Sequence, residues 1–202
     1  MDAISWAFVI IVGYLIGSLP SAYIAGRILK GRDIRKLGDN NSGAANAYHN
    51  LGRITGITVC VIDTGKGAAA VLLAHTINDA STIHMVAGIS AVAGHNWPFF
   101  LHFRGGRGAA TTLGILMFIA PVAAIPMSLG CLVLLLFSRN PIVALSFAFI
   151  ATPILAWILG INFNTIAYMI LLPTIVGVSH FSGVMRAPRT HMTKQTASRI
   201  SE

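Results

Sequence analysis

The chain has 202 residues, 55% of them hydrophobic and only 10% charged, with a mean hydropathy of +0.75. A soluble domain carries roughly 25% charged residues, so this chain lacks the polar surface to face water and reads as an all-α integral membrane protein. Its 14 Lys and Arg against 6 Asp and Glu give a formal net charge of +8, an excess that in a membrane protein marks cytoplasmic loops rather than a nucleic-acid surface.

The opening stretch MDAISWAFVIIVGYLIG lacks the basic leader of a secretory signal, so residues 4–25 are expected to remain as a first span. Arg27, Lys30, Arg32, Arg35 and Lys36 follow it. They put that loop in the cytoplasm and the N-terminus outside. Within the loop, LGDNNSGAANAYHNLG (37–52) gathers Asn40, Asn41, Ser42 and Asn46 around Gly43. Short amides and hydroxyls ahead of a helix start can cap it and leave backbone N–H groups facing an anion. The same residues also describe an ordinary polar turn.

Residues 54–75 form the next expected span, and it contains D-T-G-K-G. Asp63 and Lys66 lie three apart, on one helical face. A charge at membrane depth costs at least ~2.5–3.5 kcal/mol on insertion scales, which makes it a functional-site hypothesis by default. Gly65 and Gly67 flank Lys66 and allow close approach of a backbone or ligand. Lys66 is expected to face a ligand, with a structural pair to Asp63 as the alternative. The 76–81 connection has no Lys or Arg, as an external loop should.

A third span over 82–101 returns the chain to the cytoplasm at Arg104 and Arg107. Here GHNWPFFLHFRGGRGAATT (94–112) sets Gly105, Gly106 and Gly108 around Arg107, ahead of a helix start. Glycine-rich turns at helix N-termini bind phosphate through N–H groups and the positive dipole end, and Arg107 adds a bidentate fork. The spacing is not that of a Walker A loop. A flexible turn with membrane-anchoring arginines is the alternative, and His95 alone reads equally as a helix–helix hydrogen-bonding residue.

The run 109–137 is long for one span and short for two, with Pro121 and Pro126 in its middle. One crossing would leave Arg139 and the basic tail (Arg186, Arg189, Lys194, Arg199) outside, whereas two crossings put every basic loop inside. Two short, tilted or kinked helices are therefore expected, followed by spans 141–160 and 165–184. The expectation is seven spans in one domain over 1–202, with a cytoplasmic C-terminus and a flexible tail after about residue 186. The polar segments 27–52, 94–108 and 179–190 then share the cytoplasmic face. Cys60 and Cys131 fall in apolar runs and read as packing residues. The sequence has no H-x-x-x-H, no clustered carboxylates, no Cys cluster and no G-x-S-x-G elbow, so no metal is expected. Paired broken helices in both halves, as in a transporter, are not evident either.

In order, GSLPSAYIAGRILKGRDIRKLG, the Asn-Ser-Gly-Ala-Ala-Asn segment, D-T-G-K-G and GHNWPFFLHFRGGRGAAT resemble the bacterial acyl-phosphate:glycerol-3-phosphate acyltransferases, the PlsY family. The resemblance is close over residues 13 to about 115 and rests on hydropathy beyond. It implies a multi-pass enzyme of the bacterial inner membrane that moves an acyl group from acyl phosphate to the sn-1 hydroxyl of glycerol 3-phosphate, giving lysophosphatidic acid. It implies no cofactor, the two substrates and membrane lipids as partners, no nucleic acid, and a monomer as the simplest assembly. An acyl phosphate is already an activated anhydride. The protein must hold two phosphates, position a hydroxyl and stabilise charge on the carbonyl.

By this resemblance Asn41, Lys66 and His95 are expected in catalysis, and Asp39, which stands where the pattern differs, is a further candidate. Arg35, Ser42, Gly43, Asn46, Arg104, Gly105, Gly106, Arg107, Gly108 and His180 are expected to bind substrate and phosphate. The chain departs from the family's first-loop pattern G-S-G-N-x-G-A-T-N-x-x-R at four positions: Asp39, Asn40, Ala45 and His49 replace its serine, second glycine, threonine and arginine. Arg104 and Arg107 stand for lysines, and Phe181, Ser182 and Gly183 follow His180 where arginine and asparagine are usual. A carboxylate about 4 Å from a phosphate charge is unfavourable by ~4 kcal/mol at an effective dielectric near 20. Asp39 therefore means another acceptor, a side chain turned elsewhere, or a general base. A divergent paralogue, or a non-catalytic protein that binds anionic lipid, is the competing reading.

Overall fold

The computed structural model describes residues 2–186, with side chains to residue 181. The expected flexible tail, with Arg189, Lys194 and Arg199, lies outside the described residues. Among the described residues every regular element is helical: α1 (Ala3–Gly17), α2 (Ser21–Lys30), α3 (Ala44–Leu51), α4 (Arg53–Ile77), α5 (Ser81–Asn96), α6 (Ala109–Ile119), α7 (Pro121–Ser138), α8 (Pro141–Ile158) and α9 (Phe163–Arg186), with short 3-10 turns at Ile34–Lys36 and Phe99–Leu101.

Five stretches are long and apolar enough to cross a membrane: Ala3–Lys30, Arg53–Ile77, Pro121–Ser138, Pro141–Ile158 and Phe163–Phe181. They make this a multi-pass membrane protein. The long run 109–137 does divide into two helices. The break falls at Ala120, with Pro121 opening α7 where its missing N–H is harmless, while Pro126 lies inside that helix. The expected spans 4–25 and 82–101 are less regular than hydropathy suggests. Pro20 opens the first between α1 and α2. The second is a helix of 16 residues that stops at Asn96, ahead of Pro98. At ~1.5 Å per residue, α5 and the 11-residue α6 are each shorter than a ~30 Å hydrocarbon core.

Small residues bring the helices together. A Cβ at Gly17 would collide with the Ala91 backbone, one at Gly94 with the Tyr14 carbonyl, one at Gly67 with Thr111 and one at Gly114 with Thr64. These contacts lock α1 against α5 and α4 against α6 at backbone distance, the way helices associate where lipid offers no hydrophobic drive. Outward, Phe8, Ile54, Val61, Phe137, Trp157 and Phe163 are exposed. In lipid that surface is solvated.

Two apolar clusters fix the site. Val71, Val92, Ile115, Leu116, Met169 and Leu172 join α4, α5, α6 and α9. Ala22, Ile34, Ala47, Leu51 and Val59 seat the polar first loop and α3 on α2 and α4.

Candidate functional site

The centre of the site is a buried ion pair. Lys66 Nζ lies 2.9 Å from Asp63 Oδ1, with side chains only 5% and 1% exposed. Burial of both charges is tolerable because each has further partners. Ser21 Oγ donates to Asp63 Oδ1 at 2.6 Å, and Lys66 Nζ donates to the Leu19 carbonyl at 3.0 Å. Both contacts come from the break between α1 and α2, so Pro20 supplies the lysine's second acceptor by interrupting the helix. An ammonium has three protons; two are accounted for, and one remains for another acceptor. Asp63 Oδ2 is buried and has no partner among the described residues.

His95, in the last turn of α5, closes the cluster. Its Nδ1 stands 3.2 Å from Thr111 Oγ1 and 3.8 Å from Asp63 Oδ1. The Nε2 edge of the ring abuts the glycine turn, since a Cβ on Gly106 would overlap His95 Nε2. A narrow cleft opens here, lined by Ser18, Leu19, Ser21, Ser42, Lys66, His95 and Leu101 among others.

The glycine turn is used differently from the way its sequence suggests. Gly105 N–H donates to the Asn96 carbonyl at 3.1 Å and Gly106 N–H to the His95 carbonyl at 3.0 Å. Those two donors cap α5 rather than facing a phosphate. Gly108, at φ +80°, is the N-cap of α6 and offers no side-chain cap. The anion-binding capacity of the turn therefore rests on that helix start and on Arg107.

Arg107 belongs to a second, shallower cluster. Its Nη2 pairs with Asp39 Oδ2 at 3.0 Å, with side chains 21% and 42% exposed. His180 on α9 is close enough to feel the charge of both. Asp39, the family's serine position, is thus held by a cation.

The other expected residues are placed as follows. Ser42 is buried at the cleft. Asn46 is spent on the fold: its Nδ2 donates to the carbonyls of Ile34, Leu37 and Asn41 at 3.1, 3.0 and 2.7 Å, and its Oδ1 accepts from Asn50 at 2.7 Å. Asn41 is half-buried, with its amide beside Gly43. Gly43 is the N-cap of α3, and no side chain of the loop caps that helix. Arg35 grips Asp33 through Nε at 3.0 Å and Nη2 at 2.7 Å, and donates to the Leu101 carbonyl at 2.8 Å. It ties the first loop to the cleft wall rather than lining the cleft. That pairing holds the Asp33 carboxyl below its usual range and raises Arg35. Arg104 is exposed.

Ser21, Thr111, the Leu19 carbonyl, Ser18 and Asn96 carry no motif that marks them in the sequence. The signal available was the Ser-Leu-Pro-Ser run, in which a proline interrupts an apolar helix between two hydroxyls.

Residues 7–188 match the family described as glycerol-3-phosphate acyltransferase. The chain belongs to that family. Among its relatives, glycerol-3-phosphate acyltransferase 4 of Dehalococcoides mccartyi is 42% identical over 172 residues, covering 85% of this chain and 93% of the relative. Glycerol-3-phosphate acyltransferase 2 of the same species is 36% identical over 201 residues, 95% of each chain. The fold is similar to the crystal structure of PlsY (YgiH), an integral membrane glycerol 3-phosphate acyltransferase, in its glycerol 3-phosphate form. The TM-score is 0.78 and the identity 30%, covering 90% of this chain and 91% of that one. The lysophosphatidic acid form of PlsY gives a TM-score of 0.74 at 26% identity.

Proposed function

We propose that this protein transfers an acyl group from acyl phosphate to the sn-1 hydroxyl of glycerol 3-phosphate, releasing phosphate and lysophosphatidic acid. Family membership supports the acceptor. The observation that carries the chemistry is Lys66, buried against Asp63 with one proton to spare at a cleft shared with Ser42 and His95. The hydroxyl oxygen bonds to the acyl carbon, the anhydride C–O bond breaks, and phosphate leaves with the bonding pair. Lys66 and Ser42 stabilise the oxygens on which charge builds. His95, held through Nδ1 by Thr111, lines the cleft beside Lys66, and the hydroxyl proton leaves with the phosphate. Arg107, Gly108 and the start of α6 hold a phosphate at the rim, with His180 beside it. Asn41 and Arg35 keep the first loop over the cleft. No cofactor or nucleic acid enters this scheme.

The same reading gives seven crossings of the bacterial inner membrane, with the N-terminus outside and the C-terminus cytoplasmic. Charge supports it: two crossings by α6 and α7 put Arg27, Arg35, Arg107 and Arg139 on one side. Local bilayer thinning and snorkelling of flanking residues accommodate the short α5 and α6. One domain acting as a monomer suffices.

The Asp39–Arg107 pair favours a second reading, in which the acceptor differs or anionic lipid is bound without turnover, because the rim cation already has a carboxylate. Purified protein given synthetic acyl phosphate and labelled glycerol 3-phosphate separates the two. Labelled lysophosphatidic acid, absent when acyl-CoA replaces acyl phosphate, supports transfer. Binding of glycerol 3-phosphate with no product supports the second reading.

A further inference from the structure

The connection between α4 and α5 holds a group of side chains that the acyl-transfer scheme does not use. His75 lies in the last turn of α4, Asp79 in the turn and His84 in the first part of α5. Their donor atoms all fall within 4.8 Å of one another. His75 Nδ1 stands 2.9 Å from Asp79 Oδ1, and the two imidazoles are 5.3 Å apart between ring centres. Phe118 packs edge-on against both rings, at 6.0 Å from His75 and 6.4 Å from His84. The turn itself is fixed, with Ala80 N–H donating to Asn78 Oδ1 at 2.8 Å.

His84 is the telling residue. Its Nε2 is buried and has no hydrogen-bond partner among the described residues. A buried ring nitrogen without a partner is costly and commonly has an unseen one. His75 is 45% exposed and Asp79 84%, so both can rotate toward it. Zinc–nitrogen distances of ~2.0–2.1 Å place tetrahedral donors roughly 3.3 Å apart, a modest closure from the separation seen here.

We propose that His75, Asp79 and His84 form a binding site for a divalent transition-metal ion of the Zn²⁺ class, with a fourth position open to water. Two imidazoles and one carboxylate suit Zn²⁺ better than Mg²⁺ or Ca²⁺, which take oxygen donors. The site lies away from the cleft: nine residues of α4 separate His75 from Lys66, ~13 Å along the axis at ~1.5 Å per residue. Its role is to clamp the α4–α5 turn, and it does not depend on the acyl-transfer reading.

The test is Zn²⁺ titration of the detergent-solubilised full chain, freed of any polyhistidine tag, with Co²⁺ as a spectroscopic probe. One Zn²⁺ should bind per chain, raise the thermal midpoint, and be matched by the visible bands of four-coordinate Co²⁺. His75→Gln and His84→Ala should each weaken binding at least ~10-fold and abolish the Co²⁺ bands, and Asp79→Asn should weaken it less. His49→Ala should change nothing. If His84→Ala does not fold, His75→Gln combined with Asp79→Asn decides the matter, since both side chains are accessible. Absence of saturable binding, or equal affinity in wild type and in that double variant, overturns the proposal.

Discussion

Among the described residues, the ion pairs Asp63–Lys66 and Asp39–Arg107 have opposite character. Asp63–Lys66 is fully buried, local on one helix, and completed by Ser21 and the Leu19 carbonyl. Asp39–Arg107 joins two loops at the rim, with side chains 42% and 21% exposed. Water screens the second pair, so it is worth ~0–1 kcal/mol and can be exchanged for a ligand. Breaking the first leaves a charge stranded in a dry interior, at a cost of about 3–5 kcal/mol. Under the proposed acyl transfer, the first pair would be a fixed part of the site and the second a contact that a phosphate would exchange.

The largest effect that would sharpen this contrast is expected at Lys66. Lys66→Ala should abolish acyl transfer, by ~10²-fold or more as for loss of a charge-stabilising donor. It should also destabilise the protein by stranding Asp63, which thermal melting in detergent would show. Next is Gly106→Ala. The added Cβ meets His95 Nε2, and a misplacement of ~1 Å can cost ~10²-fold in rate. A lowered kcat together with a lowered melting temperature from the overpacked ring is expected; wild-type kcat would mean that His95 has no positioned role.

The rim pair should behave in the opposite sense. Asp39→Ser frees Arg107 and should raise activity toward glycerol 3-phosphate by up to about tenfold, the equivalent of ~1.4 kcal/mol, with melting nearly unchanged. A large loss instead would make Asp39 a general base rather than part of an exchangeable contact.

The smallest effect concerns Asp33, whose pair with Arg35 anchors the first loop to the Leu101 carbonyl. Its folded-state pKa is depressed. Its contribution is therefore complete above the ordinary carboxylate value of ~3.9 and is lost as pH falls through the depressed one. Comparing melting of wild type and Asp33→Asn across that acid range should show a difference that is constant near neutrality and disappears in acid. A difference that persists unchanged below the depressed value would show that the pairing is not its source.

Much of this was legible in the sequence, for reasons that differ by residue. Lys66 and Asp63 stood out because charge is rare and expensive at membrane depth, and Pro121 marked the division of the long apolar run. The end of α5 was harder to read, because Trp97–Leu101 is apolar and continues the hydropathy of the helix that Pro98 terminates. Asn46 read as a ligand-facing amide, yet three backbone carbonyls absorb it. Tertiary partners were out of reach. The Leu19 carbonyl lies 47 residues from Lys66, and nothing local says that Asp39 meets Arg107. The His75–Asp79–His84 group was passed over because its spacing matches no familiar metal motif.

The most direct test of the account is the rate of lysophosphatidic acid formation by the double variant Asp63→Ala/Lys66→Ala. Removing both charges relieves the stranded carboxylate, so the protein should fold and melt close to wild type. The expected result is a folded membrane protein that forms no product from acyl phosphate and glycerol 3-phosphate. Product at the wild-type rate would show that the buried pair is structural only and that Lys66 never meets the substrate.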